Sequence, residues 1–388
     1  MVSRKKRIAV TVGEGYVPGL DRVLAGVVRA AFELGWEVVG IRDGFNGLLF
    51  PDRYETDGLA FLSLEMAAKP GLFPPGILST AHPLDPFRVR VVDGENAISE
   101  KDLSEPLFNR IETNGIDGII TVLGPHELGM AWKLVQKGLP LVCIPKAIEN
   151  DVAETTLSFG FNSALSYGVD TLDRARTAAE TLGKIAVVEV LGTHAGWLAL
   201  QSGIAVIADA VLMPEIPYHL DSVAERLQGT VQSGCPASLV VVAEGTAPAT
   251  GEPEWAEGTT HAVNRSGLVS ENVALGLQRR MDRETSPLVL GQLMRGGTPT
   301  AVDRQLGVGY GTAAVRALKE KGNLKRAYEA FPDKRFLARS PIIPGVNDIP
   351  PAGGNQVRFL RENLPVEGFQ AARKRNNGKT SNNRESRL

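Results

Sequence analysis

Short runs of branched and apolar residues alternate with longer stretches of helical character, and this alternation restricts the chain to an α/β fold built on parallel sheets. Residues 7–12 (Arg-Ile-Ala-Val-Thr-Val) predict a strand, followed by a glycine-rich turn, a helix over 20–34 and a strand over 36–41. The pattern repeats with strands at 117–122 and 139–144 around a helix at 126–137. A second set follows, with helices at 163–181, 197–202 and 220–233 and strands at 184–190, 208–213 and 238–243. One more long helix is predicted over 301–319, after which the pattern loosens.

A chain of 388 residues has room for two lobes of ordinary domain size. With 43% hydrophobic and 22% charged residues, both lobes can build full cores, which excludes global disorder. A net charge of −2 argues against bulk nucleic-acid affinity. Two cysteines, Cys143 and Cys235, give no disulfide framework. No apolar segment reaches the length of a membrane span. The basic start, residues 1–7, runs into a strand rather than a signal-peptide core, so a soluble cytoplasmic protein is expected. From Ala371 onward the chain is polar and basic, with Arg373, Lys374, Arg375, Lys379, Arg384 and Arg387. That tail reads either as a solvated segment or as a basic arm for an acidic partner surface or nucleic acid.

Chemistry concentrates in Pro145-Lys-Ala-Ile-Glu-Asn-Asp151, directly after the apolar run at 139–144. Carboxylates just beyond a buried parallel strand lie where open α/β sheets place their ligands. Glu149-Asn150-Asp151 therefore has two readings, a catalytic carboxylate set or a cap for the following helix.

Five segments together resemble the bacterial-type phosphofructokinases, including the branch that uses pyrophosphate. Gly13-Glu-Gly-Tyr-Val-Pro-Gly19 stands at the first phosphate loop, and Gly44-Phe-Asn-Gly-Leu-Leu49 at the turn after the second strand. Ile144 to Asp151 with Phe159-Gly-Phe-Asn162 resembles the catalytic strand end and the helix behind it. Val188-Glu-Val-Leu-Gly-Thr-His-Ala-Gly196 and Val289-Leu-Gly-Gln-Leu-Met-Arg-Gly-Gly297, with Pro299, Asp303 and Arg304, resemble the sugar-phosphate segments. The resemblance implies a phosphofructokinase-like fold of two Rossmann-like lobes with mainly parallel sheets. The larger lobe, on the donor-phosphate side, would take 1–160 and 294–344. The smaller, sugar-phosphate lobe would take 161–293 and 345–370, leaving 371–388 as the tail.

On the donor side, Glu14 stands where the family has glycine and Tyr16 where it has aspartate, beside Gly15. A glutamate next to a polyphosphate costs roughly 4 kcal/mol per charge pair at ~4 Å and an effective dielectric of ~20. Gly124-Pro-His-Glu127 replaces a glycine-rich run, and Pro125 falls on the Mg²⁺-associated aspartate while removing an amide donor. His126 and Glu127 replace small residues, and Met130 replaces a glycine that lets nucleotide approach. His82, in Ser79-Thr-Ala-His82, takes the place of a phosphate-clamping arginine and lacks its bidentate fork. Lys146 resembles the lysine by which the pyrophosphate branch approaches its donor; the alternative is a solvated or salt-bridged loop lysine. A convergence of Glu14, His82, His126, Glu127 and Glu149 on a divalent metal is a further alternative; no Cys/His spacing points to a structural zinc site.

On the acceptor side, Glu149 takes the place of the family's aspartate base, and its extra methylene displaces the oxygens by ~1 Å, enough for a ~100-fold loss. Asp151 is kept, and Ala147 replaces a threonine. Gly192, Glu244 and Arg295 match sugar-phosphate positions, whereas Thr193 replaces an arginine and Gln292 a histidine. Lys184 and Ser286 match two arginines that the neighbouring subunit contributes in the family. Glu244 and Arg295 also read as a structural ion pair, and His194 as a satisfied structural histidine.

These replacements imply a catalytically impaired member of the family, a regulatory or structural subunit with a remaining site for a sugar phosphate. The alternative is an active 6-phosphofructokinase that transfers phosphate from pyrophosphate, or from ATP, to fructose 6-phosphate with Mg²⁺. Only that alternative requires a cofactor. The expected assembly is a homo-oligomer, dimer or tetramer, or a hetero-oligomer with an active relative.

Overall fold

The computed structural model describes residues 4–68, 77–78, 84–92, 98–152, 155, 157–232, 237–249 and 267–320. In chain order these form β1 (Arg7–Val12), α1 (Leu20–Glu33), β2 (Glu37–Ile41), α2 (Asn46–Leu49), β3 (Leu59–Phe61), α3 (Leu64–Ala68), β4 (Val89–Val92) and β5 (Ile98–Lys101). Then come α4 (Ser104–Thr113), β6 (Gly118–Leu123), α5 (Leu128–Gln136), β7 (Leu141–Pro145), α6 (Phe161–Leu182), β8 (Ile185–Val190) and α7 (Trp197–Ala205). The series ends with β9 (Ala210–Leu212), α8 (Leu220–Gln232), β10 (Ser238–Ala243), α9 (Leu268–Met281), β11 (Thr285–Val289) and α10 (Ala301–Glu320). The segment around His82, Cys235 and the basic tail from Ala371 lie outside the described residues.

Two compact units divide the chain, one holding the described residues of 4–163 and 295–320, the other those of 164–294. The expected α/β class with mainly parallel sheets is what forms. In the first unit a five-stranded sheet runs in the order β3-β2-β1-β6-β7, parallel except for β3 at its edge. Its central strands are buried along nearly their whole length, which is why they read as unbroken Val/Ile runs rather than as alternating ones. Successive connections leave β1 in opposite directions, so the mouth between β1 and β6 is a topological switch point, where such sheets bind ligands.

Helix α10 returns to this unit and packs on α1 with almost no side chain between them. A Cβ on Gly311 would lie 2.2 Å from the Val23 carbonyl oxygen, and one on Gly26 2.5 Å from that of Val308. Only glycine permits so close an approach of two helix backbones.

The second unit carries a four-stranded parallel sheet, β11-β8-β10-β9, over a core that includes Ile185, Val187, Leu220, Leu227, Val240 and Leu277. Glu189, inside β8 and only 2% exposed, accepts the backbone amides of Gly267 (2.6 Å) and Ser270 (2.9 Å) at the start of α9. The carboxylate thereby satisfies donors that a helix start leaves without partners. Strand β11 falls outside the sequence expectation because Pro287 interrupts its pattern. Proline lacks the ladder N–H and is tolerated at a sheet edge, where β11 lies. The helix expected over 126–137 is split, a 3-10 turn at Pro125–Glu127 leading into α5. Among the described residues no helix is long and apolar enough to cross a membrane.

Candidate active site

Three loops at the carboxyl ends of β1, β6 and β7 meet in the first unit. The β7 loop sends Lys146 inward, where it is 2% exposed. Its ammonium donates to the carbonyl of Gly13 at 2.8 Å and also to those of Glu14 and Gly15. Lys146 is therefore not a solvated lysine; it is a buried cation around which the first loop is wrapped. Burial pulls its pKa down from 10.5 to about 8, against the raising influence of the nearby Glu127 carboxylate.

Glu127 closes the same loop from the other side. Its Oε2 accepts the Gly124 amide at 3.0 Å and its Oε1 the Glu14 amide at 3.2 Å. The carboxylate lies flat on Gly13, where an added Cβ would fall 2.0 Å from Oε2. Burial raises the Glu127 carboxyl above its ordinary value; the Gly124 amide, Lys146 and the Glu14 amide oppose that shift. The sequence offered Glu127 as a replacement for a small residue or as one of a divalent-metal set, not as a loop-closing carboxylate. The available signal was Gly-Pro-x-Glu, a proline at the first position of a helical turn and a glutamate at the third, which reaches back to the turn's first amide.

Glu14 and His126 are exposed at this mouth, and Gly124 is half-buried. Tyr16 is half-buried; burial and then Asp21 raise its pKa. Met130 packs against the core of the unit, and Ala147 joins Val152 and Leu128 in a small apolar cluster. The hydroxyl expected from the resemblance at Ala147 is thus replaced by a dry contact. Among the described residues no three His, Cys, Asp or Glu side chains gather as a metal set. With proline at 125 and both Glu127 oxygens on amides, this loop does not fit the Mg²⁺ that the resemblance implies.

Glu149 is paired. Arg295, from the 3-10 turn Gly291–Arg295, donates through Nη2 to Glu149 Oε1 at 2.7 Å, with both side chains largely shielded. Arg295 also passes Gly15, whose added Cβ would lie 3.8 Å from Nη1. Asn150 adopts a left-handed conformation (φ 54°) and its Oδ1 accepts the Ser158 amide at 2.8 Å, tying the loop ahead of α6. Asp151 is half-buried, with Oδ1 lacking a hydrogen-bond partner among the described residues. The structure thus brings Glu14, Gly15, Gly124, Lys146, Glu149 and Arg295 into one neighbourhood.

The second unit holds the other sugar-phosphate candidates. After β8 and β10, Gly192 and Gly245 bring two loops together, the Gly245 amide donating to the Gly192 carbonyl at 3.1 Å. A Cβ on Gly245 would lie 1.9 Å from the Thr193 carbonyl oxygen. Thr193 donates its hydroxyl to Glu244 Oε1 at 2.6 Å. Glu244 and Arg295 thus take Thr193 and Glu149 as partners, which the sequence did not anticipate. His194 and Gln292 are exposed. Lys184 precedes β8 and pairs with Glu284 at 3.0 Å. The six residues of β8, a length of about 20 Å, separate it from Gly192, so this unit does not gather Lys184 with Gly192 and Glu244.

Residues 7–318 match the family model described as phosphofructokinase. An ATP-dependent 6-phosphofructokinase of Chloroflexus aurantiacus is 39% identical over 320 residues, covering 82% of this chain and 85% of that protein. A pyrophosphate–fructose 6-phosphate 1-phosphotransferase of Amycolatopsis mediterranei is 34% identical over 317 residues, covering 81% of this chain and 87% of its own. Among solved structures, phosphofructokinase from Saccharomyces cerevisiae superposes with a TM-score of 0.64 at 26% identity. That match covers 81% of this chain and 42% of the yeast chain, so this protein spans less than half of the yeast subunit.

Proposed function

The chain belongs to the phosphofructokinase family, and from that premise we propose that it is a member with a closed donor side. It serves as a regulatory or structural subunit and keeps an acceptor-side loop pair suited to a sugar phosphate. The observation that carries this reading is the Glu127 carboxylate seated on the Glu14 and Gly124 amides. Phosphoryl transfer depends on positioned donors and cations around a polyphosphate. Here an internal anion already holds the amides, and a second anion ~4 Å away is opposed by roughly 4 kcal/mol at an effective dielectric of ~20. The two cations nearest the loop are engaged as well, Lys146 with three carbonyls and Arg295 with Glu149. Arg295 engages Glu149 Oε1, one of the two oxygens by which Glu149 would take the proton of a sugar hydroxyl.

A coupled assay with fructose 6-phosphate, Mg²⁺ and either ATP or pyrophosphate tests the reading. The expected result is no turnover above background; turnover that Glu149→Gln abolishes overturns it. The second reading, an active 6-phosphofructokinase, draws support from the names of the Chloroflexus and Amycolatopsis relatives. It predicts activity in the same assay, with pyrophosphate as the preferred donor. The subunit role predicts that affinity purification recovers an intact family member or a second copy of this chain.

A further inference from the structure

We infer that Glu127 is a displaceable internal anion, and that the Glu14 and Gly124 amides over Gly13 form a site for one compact oxoanion, such as a terminal phosphoryl group or sulfate. The inference rests on the reading of the donor side as closed, and adds how it opens. Three features point to displacement rather than permanent structure. The carboxylate arrives from a one-turn 3-10 segment, not from within a strand or long helix. Among the described residues its hydrogen bonds are to the two amides, and Lys146 attracts it without a direct ion pair. It also fills a volume that exists because residue 13 has no side chain.

Both amides point where β1 and β6 end side by side, and the buried ammonium of Lys146 lies close enough to favour any anion placed there. A tetrahedral oxoanion presents two oxygens at roughly the spacing of a carboxylate's pair, so it can accept the same two donors. The charged or titratable groups facing Glu127 are Glu14 from the first loop and Lys146 and Cys143 from β7 and its end, with His126 beside it in its own turn. Burial raises the Glu127 carboxyl, so protons compete for it at higher pH than for an exposed glutamate. Protonation removes its charge and weakens its hold on the two amides.

Sulfate is a suitable probe because, as the anion of a strong acid, it keeps its charge while carboxyl groups titrate. The readout is local: sulfate titrations followed at the backbone amide resonances of Glu14 and Gly124. In the unmodified chain at about pH 8 neither resonance moves; as the pH falls, both begin to respond. Glu127→Ala responds already at about pH 8, with affinity at least about tenfold higher, a change of about 1.4 kcal/mol. Glu127→Gln keeps the side chain's shape while removing its charge, and shows the same gain if Glu127→Ala does not fold. Folded variants whose two amides respond no more than those of the unmodified chain overturn the inference and leave the closed-donor reading standing. Turnover by the unmodified chain with ATP or pyrophosphate overturns the closed-donor reading instead.

Discussion

Glu127 and Glu189 perform the same local act in two different regions: each carboxylate bridges two backbone amides. Glu189 does so from the middle of β8, 2% exposed, and fixes where α9 begins. Glu127 does so from a short turn at the open end of a sheet, across two loops that carry the site candidates. Position in the fold, not hydrogen-bond count, separates a permanent brace from a plug. A carboxylate in a strand cannot leave without dismantling the sheet, whereas one on a single turn can swing away.

The largest test of that contrast is Glu189→Ala, which orphans two amides in a closed core. It is expected to cost about 3 kcal/mol or more, seen as a fall in the unfolding midpoint, with no gain of sulfate response at Glu14 or Gly124. Lys146→Met comes next, at about 2–3 kcal/mol, because three carbonyls lose a charged donor. Its pH signature sharpens the assignment. The folded pKa, about 8, lies below the unfolded value of 10.5, so between them the unfolded chain binds more protons. Stability of the unmodified chain therefore contains a part that rises with pH through that window, and Lys146→Met lacks it. Gly13→Ala is expected to cost about 1–3 kcal/mol, since its Cβ must push the Glu127 carboxylate aside. Glu127→Gln has the smallest effect on stability, about 1 kcal/mol or less. A cost for Glu127→Gln equal to that of Glu189→Ala breaks the contrast between plug and brace.

The fold was legible where a physical period dominated. Buried parallel strands such as 7–12 and 238–243 announce themselves as apolar runs, and the resemblance located every loop of the first unit's mouth. Strand β11 was hidden by Pro287, whose meaning at an edge emerges only once the sheet order is known. Side-chain pairing was much less legible. Arg295 lies 146 positions after Glu149, and nothing in either local sequence says that they meet. Lys146 is a harder case still, because its partners are carbonyls and backbone atoms leave no mark in composition. The Thr193–Glu244 bond similarly joins two loops that follow different strands.

The glycine contact between α1 and α10 bears on how the protein is made. Val23 and Gly311 touch backbone to backbone, yet almost three hundred residues separate them along the chain. The first unit is discontinuous, and the 131 residues of 164–294 must leave the ribosome before α10 is even begun. At about 5–20 residues per second, this leaves the nascent first unit without its closing helix for roughly 7–26 s. During that interval the face of α1 around Gly26 waits for the helix that covers it in the finished fold.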